Sequence, residues 1–283
     1  MIRPYHIWKS DWSRHVCLIA VSLVGTMAAA QQATRTAPLA VDEVIQRVVQ
    51  MNNMRAIALE GYSSLRAYHL ECHCLSPKSA DMIVRVEYQA PDTTELTIVS
   101  ESGSGTIRDH VFRKMLKAEQ ESMQLENQQQ SAITPENYAF RLSTYIKSDT
   151  DEFYVLEAQP RNKNKFQFRG RIWVDARDFA VTRLEGEPAV SPSWWTEKTE
   201  FAWRFQKVGD FWLPVSNESE TRVRIYGTAL LTIEYRDYQI RQTRAGTHAD
   251  LTAEDLSRPT AASPGIKAQS VVANGILLGK EPK

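Results

Sequence analysis

The side chains best suited to chemistry in this 283-residue sequence fall in one short stretch: His69, Glu71, Cys72, His73 and Cys74. Imidazole, carboxylate and thiolate are metal ligands, and a Cys-x-Cys pair either binds soft copper or closes into a disulfide. The stretch reads as a strand, however, and side chains alternate along a strand. Cys72 and Cys74 then share one face while His69, Glu71 and His73 share the other, so the five cannot converge on one ion. An oxidised pair or two inert thiols is the expectation, with no metal; copper on the thiol pair is the alternative.

Other catalytic signatures do not close. Ser102-Gly103-Ser104-Gly105 lacks the spacing of a nucleophile elbow, no paired-histidine zinc helix occurs, and Gly103 and Gly105 are followed by neither a third glycine nor a phosphate-loop lysine. Glu185, Glu187, Glu218 and Glu220 lie scattered along polar faces, and His110 sits between charged neighbours as a solvated side chain. Asn217-Glu218-Ser219 matches a glycan acceptor but lies inside a predicted strand. The chain reads as a binding protein without catalytic residues or cofactor.

What the sequence repeats is an apolar face set against a charged one. In Thr199–Phe205, Phe201, Trp203 and Phe205 point one way and Glu200 and Arg204 the other. Lys and Arg together balance Asp and Glu at a formal charge of zero, so no nucleic-acid footprint is present. Residues 1–30 read as an export signal: Arg3, Lys9 and Arg14, an apolar run from Cys17 to Gly25, then Ala28-Ala29-Ala30, with cleavage near Ala30. The apolar run is shorter than the roughly 20 residues of a spanning helix, and no cysteine follows it for lipid modification. The expectation is a soluble periplasmic protein.

Beyond a flexible leader at 31–40, apolar spacing predicts a helix from Val41 to Leu59, with Val41, Val44, Ile45, Val48 and Val49 on one side. Strands follow at Leu65–Cys74, Met82–Tyr88 and Glu95–Ser100, then a second helix at about Thr106–Met123. Gln124–Ser131 reads as a polar linker or a frayed helix end. Seven further strands are predicted: Tyr138–Ile146, Glu152–Ala158, Phe166–Val174, Ala180–Glu185, Glu197–Lys207, Phe211–Val223 and Ala229–Ile240. The short turns between them force antiparallel neighbours. Residues 241–283 read as a mostly disordered tail. The fold class is α+β, mostly β: one curved antiparallel sheet of about ten strands under two covering helices.

Two stretches carry a resemblance. Gly170-Arg171-Ile172-Trp173-Val174-Asp175-Ala176-Arg177-Asp178-Phe179-Ala180-Val181-Thr182-Arg183-Leu184-Glu185 is a strand, an acidic turn and a returning strand, and Gly209-Asp210-Phe211-Trp212-Leu213-Pro214 leads into the strands after Thr228. Both resemble the LolA/LolB-type outer-membrane lipoprotein-sorting proteins, over about residues 41–240. The resemblance implies a half-barrel whose concave apolar face shelters acyl chains. Its implied partner is a lipid or acylated lipoprotein, with a lipid-responsive sensor bound to an envelope membrane protein as the alternative.

Val84, Val86, Phe166, Phe168, Phe201, Trp203, Phe205, Val223, Ile233 and Tyr235 are the candidate lipid-contacting residues, with Ile225 beside them. Two helices of about 27 Å each over a sheet about 43 Å wide are expected to leave part of that face open. For a sensor, Gln124–Ser131 and the tail are the candidate partner-docking segments.

Overall fold

The computed structural model describes residues 38–242, apart from Asp92, Pro192 and Trp195. The export signal with its cleavage point, most of the leader and the tail beyond Gln242 lie outside the described residues. No helix among the described residues is long and apolar enough to cross a membrane.

Helix α1, Val41–Ala58, buries Val44, Ile45 and Val48, carries Asp42 and Glu43 in its first turn and Arg55 in its last. Those charges oppose the helix dipole at both ends. The chain turns extended at Leu59 and enters β1 (Leu59–Cys74) without a loop, then β2 (Lys78–Gln89) and β3 (Thr93–Gly103). After a helical segment come β4 (Tyr138–Lys147), β5 (Glu152–Pro160), β6 (Phe168–Asp175), β7 (Val181–Pro188), β8 (Thr196–Val208), β9 (Phe211–Val223) and β10 (Gly227–Gln242).

All ten strands form one open antiparallel sheet in the order β3-β2-β1-β10-β9-β8-β7-β6-β5-β4. Every neighbour is the next strand in sequence except β1 and β10, which zip together the two meanders from Leu59↔Gln242 to Cys74↔Gly227. Edges β3 and β4 are therefore consecutive in the chain yet at opposite sides of the sheet. The segment joining them has to cross the whole face.

That segment is helical in pieces: α2 (Gly105–Ile107), a π-helical turn (Arg108–Phe112), α3 (Arg113–Ser122) and α4 (Leu125–Ser131). The α4 helix decides between the two readings of Gln124–Ser131 in favour of helix. Its side chains serve its own backbone and the adjoining loops: Gln128 Nε2 donates to the Met123 carbonyl at 2.5 Å and Ser131 Oγ to the Gln128 carbonyl at 3.1 Å. Asn137 Nδ2 donates to the Gln129 and Ala132 carbonyls, and Gln167 Nε2 to that of Gln130. With α4 the crossing gains about 10 Å of helix.

Gly170 and Gly186 face each other across β6 and β7. A Cβ at Gly170 would collide with the Glu185 carbonyl oxygen, so this tight approach admits glycine alone. One face of the sheet, together with the helices, forms the core, and the other carries the charges.

Candidate functional site

The structure buries all ten candidate residues on the helix-covered face, none more than 6 % exposed. Eight of them belong to one core; Phe166, just before β6, and Val223, at the end of β9, are buried outside it. Phe168 and Phe201 meet edge to face at 5.8 Å, and Trp203 lies 6.2 Å from Phe205 and 5.8 Å from Tyr235 between ring centres. The face expected to stand partly open is buried at each of these ten positions. Ile225 is the displaced candidate. It occupies the apex of the β9–β10 turn, 80 % exposed, with φ of 70°.

Two separate pieces make up the cover, α1 and the strap α2–α4. Phe112 in the strap packs on Tyr68, 6.1 Å between ring centres. A cleft of about 470 Å³ runs between α1 and the chain entering β4, lined by Gln46, Val49, Gln50, Asn53, Pro135 and Glu136. A larger groove of about 690 Å³ lies on the opposite, charged face among Arg169, Arg171, Glu185, Glu200, Glu218 and Glu220. Cross-strand ion pairs such as Arg204–Glu218 at 2.9 Å and Arg171–Glu185 at 3.1 Å occupy that face, the arrangement of a solvated sheet surface.

Sequence reasoning missed the polar residues inside the covered face. Arg66 on β1 pairs with Glu119 on α3; their residues are 5 % and 2 % exposed. The Arg66 guanidinium also lies 5.2 Å from the centre of the Tyr235 ring. Burial works against the Arg66 charge, but Glu119 and the surrounding tyrosines outweigh it and hold its pKa well above the ordinary value. Burial pushes the Tyr62, Tyr68 and Tyr235 hydroxyls up.

Nearby, Ser64 Oγ, Arg66 Nε, Trp203 Nε1 and Asn217 Nδ2 are buried with no hydrogen-bond partner among the described residues. Trp203 and Asn217 are register partners, and Arg66 stands opposite Tyr235, so these atoms form one patch across β8, β9, β10 and β1. Strand parity held the signal. Arg66 falls in the same alternation as Tyr62, Tyr68 and Leu70, and Glu119 follows Val111 and Met115 at helical spacing.

Cys72 and Cys74 are joined as a disulfide, with Cα atoms 5.3 Å apart. His69 is on the other face as expected, with Nδ1 2.7 Å from Asp81 and Nε2 3.0 Å from Glu71. Among the described residues no group of three or more His, Cys, Asp and Glu is placed to hold a metal ion. Asn217 of the glycan-acceptor match is 2 % exposed, out of reach of a glycan.

No family model and no curated protein matches the sequence. Similar solved structures exist. One is the LolA superfamily protein NE2245 from Nitrosomonas europaea, 12 % identical, covering 70 % of this chain and 94 % of that one, with a TM-score of 0.35. Another is a putative outer membrane lipoprotein-sorting protein domain from Vibrio parahaemolyticus, 11 % identical over 76 % and 97 % of the two chains, with a TM-score of 0.41. A third similar structure is the Pseudomonas aeruginosa MucA/MucB complex, 9 % identical over 71 % and 93 %, with a TM-score of 0.21.

Proposed function

We propose that this protein is a periplasmic carrier or holder of lipid or lipidated protein, which takes acyl chains onto the covered face when α1 lifts from the chain entering β4 along the cleft between them. Each buried methylene would contribute about 0.8 kcal/mol, so a dry face of this width holds a chain without any catalytic group.

The observation that carries this reading is the patch of unpartnered atoms at Ser64, Arg66, Trp203 and Asn217. A buried donor without an acceptor costs about 1–3 kcal/mol. A core serving stability alone would do better with apolar groups of the same shape there. The ester and amide carbonyls at the head of an acylated lipid are the acceptors this patch lacks. The Arg66–Glu119 pair fits the same picture, since a buried ion pair is a poor stabiliser but a good selector between two arrangements of packed elements.

The test is uptake of a dansylated fatty acid by the exported chain, with native mass spectrometry for co-purified lipid. Binding with one molecule per chain and a blue-shifted dansyl emission is the expected outcome. Absence of uptake of any fatty acid or acylated peptide ends the reading. The alternative is a lipid-responsive sensor bound to an envelope membrane protein, with the exposed side of α4, Glu126 and Gln129, as a docking segment.

A further inference from the structure

Eight large hydrophobic residues among the described ones are exposed, and five of them cluster at one end of the sheet: Leu75 (89 %), Ile225 (80 %), Trp194 (73 %), Tyr226 (50 %) and Val190 (40 %). The other three are scattered, Met54 on α1 and Val99 and Ile146 on the two edge strands. The five come from three connections, β1–β2, β7–β8 and β9–β10. Register brings these together: Cys74 pairs with Gly227, Gly227 with Val223, and Val223 with Thr196. Arg224 stacks its guanidinium 5.5 Å from the Trp194 ring centre.

A turn that only reversed the chain would put Gly or Asn at a left-handed apex. Here that apex is Ile225, a β-branched residue at φ 70°, where such a side chain is strained. Cations gather at the same end. Lys78 begins β2, Arg224 shares the apex, and Arg161, Lys163 and Lys165 lie in the β5–β6 connection. That connection is held beside the β7–β8 loop by the Ala189 N–H donating to the Gln167 carbonyl at 2.8 Å. Lys165 is within 3.4 Å of Glu121, and Glu126, Glu136 and Glu197 are exposed acids at this end, with Glu187 beside Arg169 and Lys198.

We propose that this end of the sheet docks on the surface of an anionic lipid bilayer. Trp194 and Tyr226 have the apolar body and polar tip that settle at headgroup level, Leu75 and Ile225 reach below them, and the cations face the anionic headgroups. Apolar tips ringed by cations on an otherwise evenly charged sheet match that surface in both chemistry and sign.

The experiment is flotation of the full chain with vesicles of phosphatidylethanolamine and phosphatidylglycerol, against phosphatidylcholine alone. Binding to the anionic vesicles that weakens with salt is expected. The Leu75→Ser/Trp194→Ser/Ile225→Ser variant should bind at least tenfold more weakly, and Lys163→Glu/Arg224→Glu should lose the preference for phosphatidylglycerol. Val99→Ser/Ile146→Ser should bind as the wild type does. These side chains are exposed, so circular dichroism and melting should stay as in the wild type. Flotation unchanged in the triple variant, or no flotation of the wild type, overturns the proposal. So does a rim variant that changes only the oligomeric state in sedimentation, which would make the end an interface between copies. Dansyl fatty acid uptake by the rim variants should match the wild type, which separates this proposal from the carrier reading.

Discussion

The two ends of the one sheet are built on opposite plans. At the end carrying the β4–β5, β6–β7 and β8–β9 turns the exposed acids Asp149, Asp151 and Asp210 alternate with the exposed cations Lys147, Arg177 and Lys207, and the polar groups hold the structure together. Asp175 Oδ1 accepts the N–H groups of Arg177 and Asp178 at 2.9 and 2.8 Å. The Asp178 carboxylate accepts from Lys207 Nζ at 2.8 Å and Trp212 Nε1 at 2.9 Å. Arg55 of α1 donates to the Asp178 carbonyl, and Arg47 lies 5.0 Å from the Phe179 ring centre. At the other end the loops turn Leu75, Trp194, Ile225 and Tyr226 outward beside cations. One end clamps a covering helix; the other presents side chains. A hinge for α1 therefore belongs at the end that clamps it, and a contact with a partner at the other.

The largest expected effect lies between the two ends, where the strap meets the sheet. Glu119→Gln leaves Arg66 charged and buried without its counter-ion, which should destabilise by about 3–5 kcal/mol. The denaturant midpoint measures this. Arg66→Met/Glu119→Leu should recover most of the loss and, with the selector gone, change the rate of dansyl fatty acid uptake. If the single and double variants unfold at the same midpoint, the pair does not couple strap to sheet.

At the clamping end, Asp178→Ala removes the acceptor of Lys207 and Trp212, and a loss of about 1–2 kcal/mol follows from two hydrogen bonds, one of them charged. Lys207, followed by Trp212, holds the Asp178 carboxyl below its ordinary value, against the opposing effect of burial. A depressed folded pKa contributes stability that is complete above the unfolded value of about 3.9 and is lost as pH falls through the folded value. The wild type should therefore lose part of its advantage over the variant below about pH 4. A constant difference from neutral pH down to pH 2 would break the clamp as described.

The same contrast shows what was legible in the sequence. Ten strands were readable because one face is buried and the other solvated, which imprints a period of two, and the acidic hairpin turn was readable from Asp175 to Asp178. The start of β1 was placed six residues late because Glu60, Gly61, Ser63 and Ser64 interrupt the apolar alternation; Gly61 is there because a Cβ would meet the Tyr88 carbonyl oxygen. The α4 helix had no apolar period at all, and its Gln128 and Ser131 side chains bond to backbone. Ile225 followed the strand alternation by count but sits on a turn, where alternation ends. Arg66 and Glu119 carried the right parity and were passed over because charged residues were assigned to the solvated face. Their pairing is long-range, 53 residues apart, and no local pattern encodes it.

The smallest expected effect is on the charged face, far from either cover, and it sets the scale for the others. His69 lies between Glu71 and Asp81, and hydrogen bonds to the two, Glu71 first, raise its pKa above the ordinary value. All three side chains are about half exposed, so water and salt screen most of the interaction. A raised folded pKa contributes stability that is complete below the unfolded value of about 6.5 and disappears as pH rises through the folded value. His69→Gln should thus lower the denaturation midpoint slightly at about pH 5.5 and not at all at about pH 8.5. A loss that is large, or equal at both pH values, would mean that this face does more than stay solvated, and the division of the sheet into a structural interior, a clamping end and a presenting end would need redrawing.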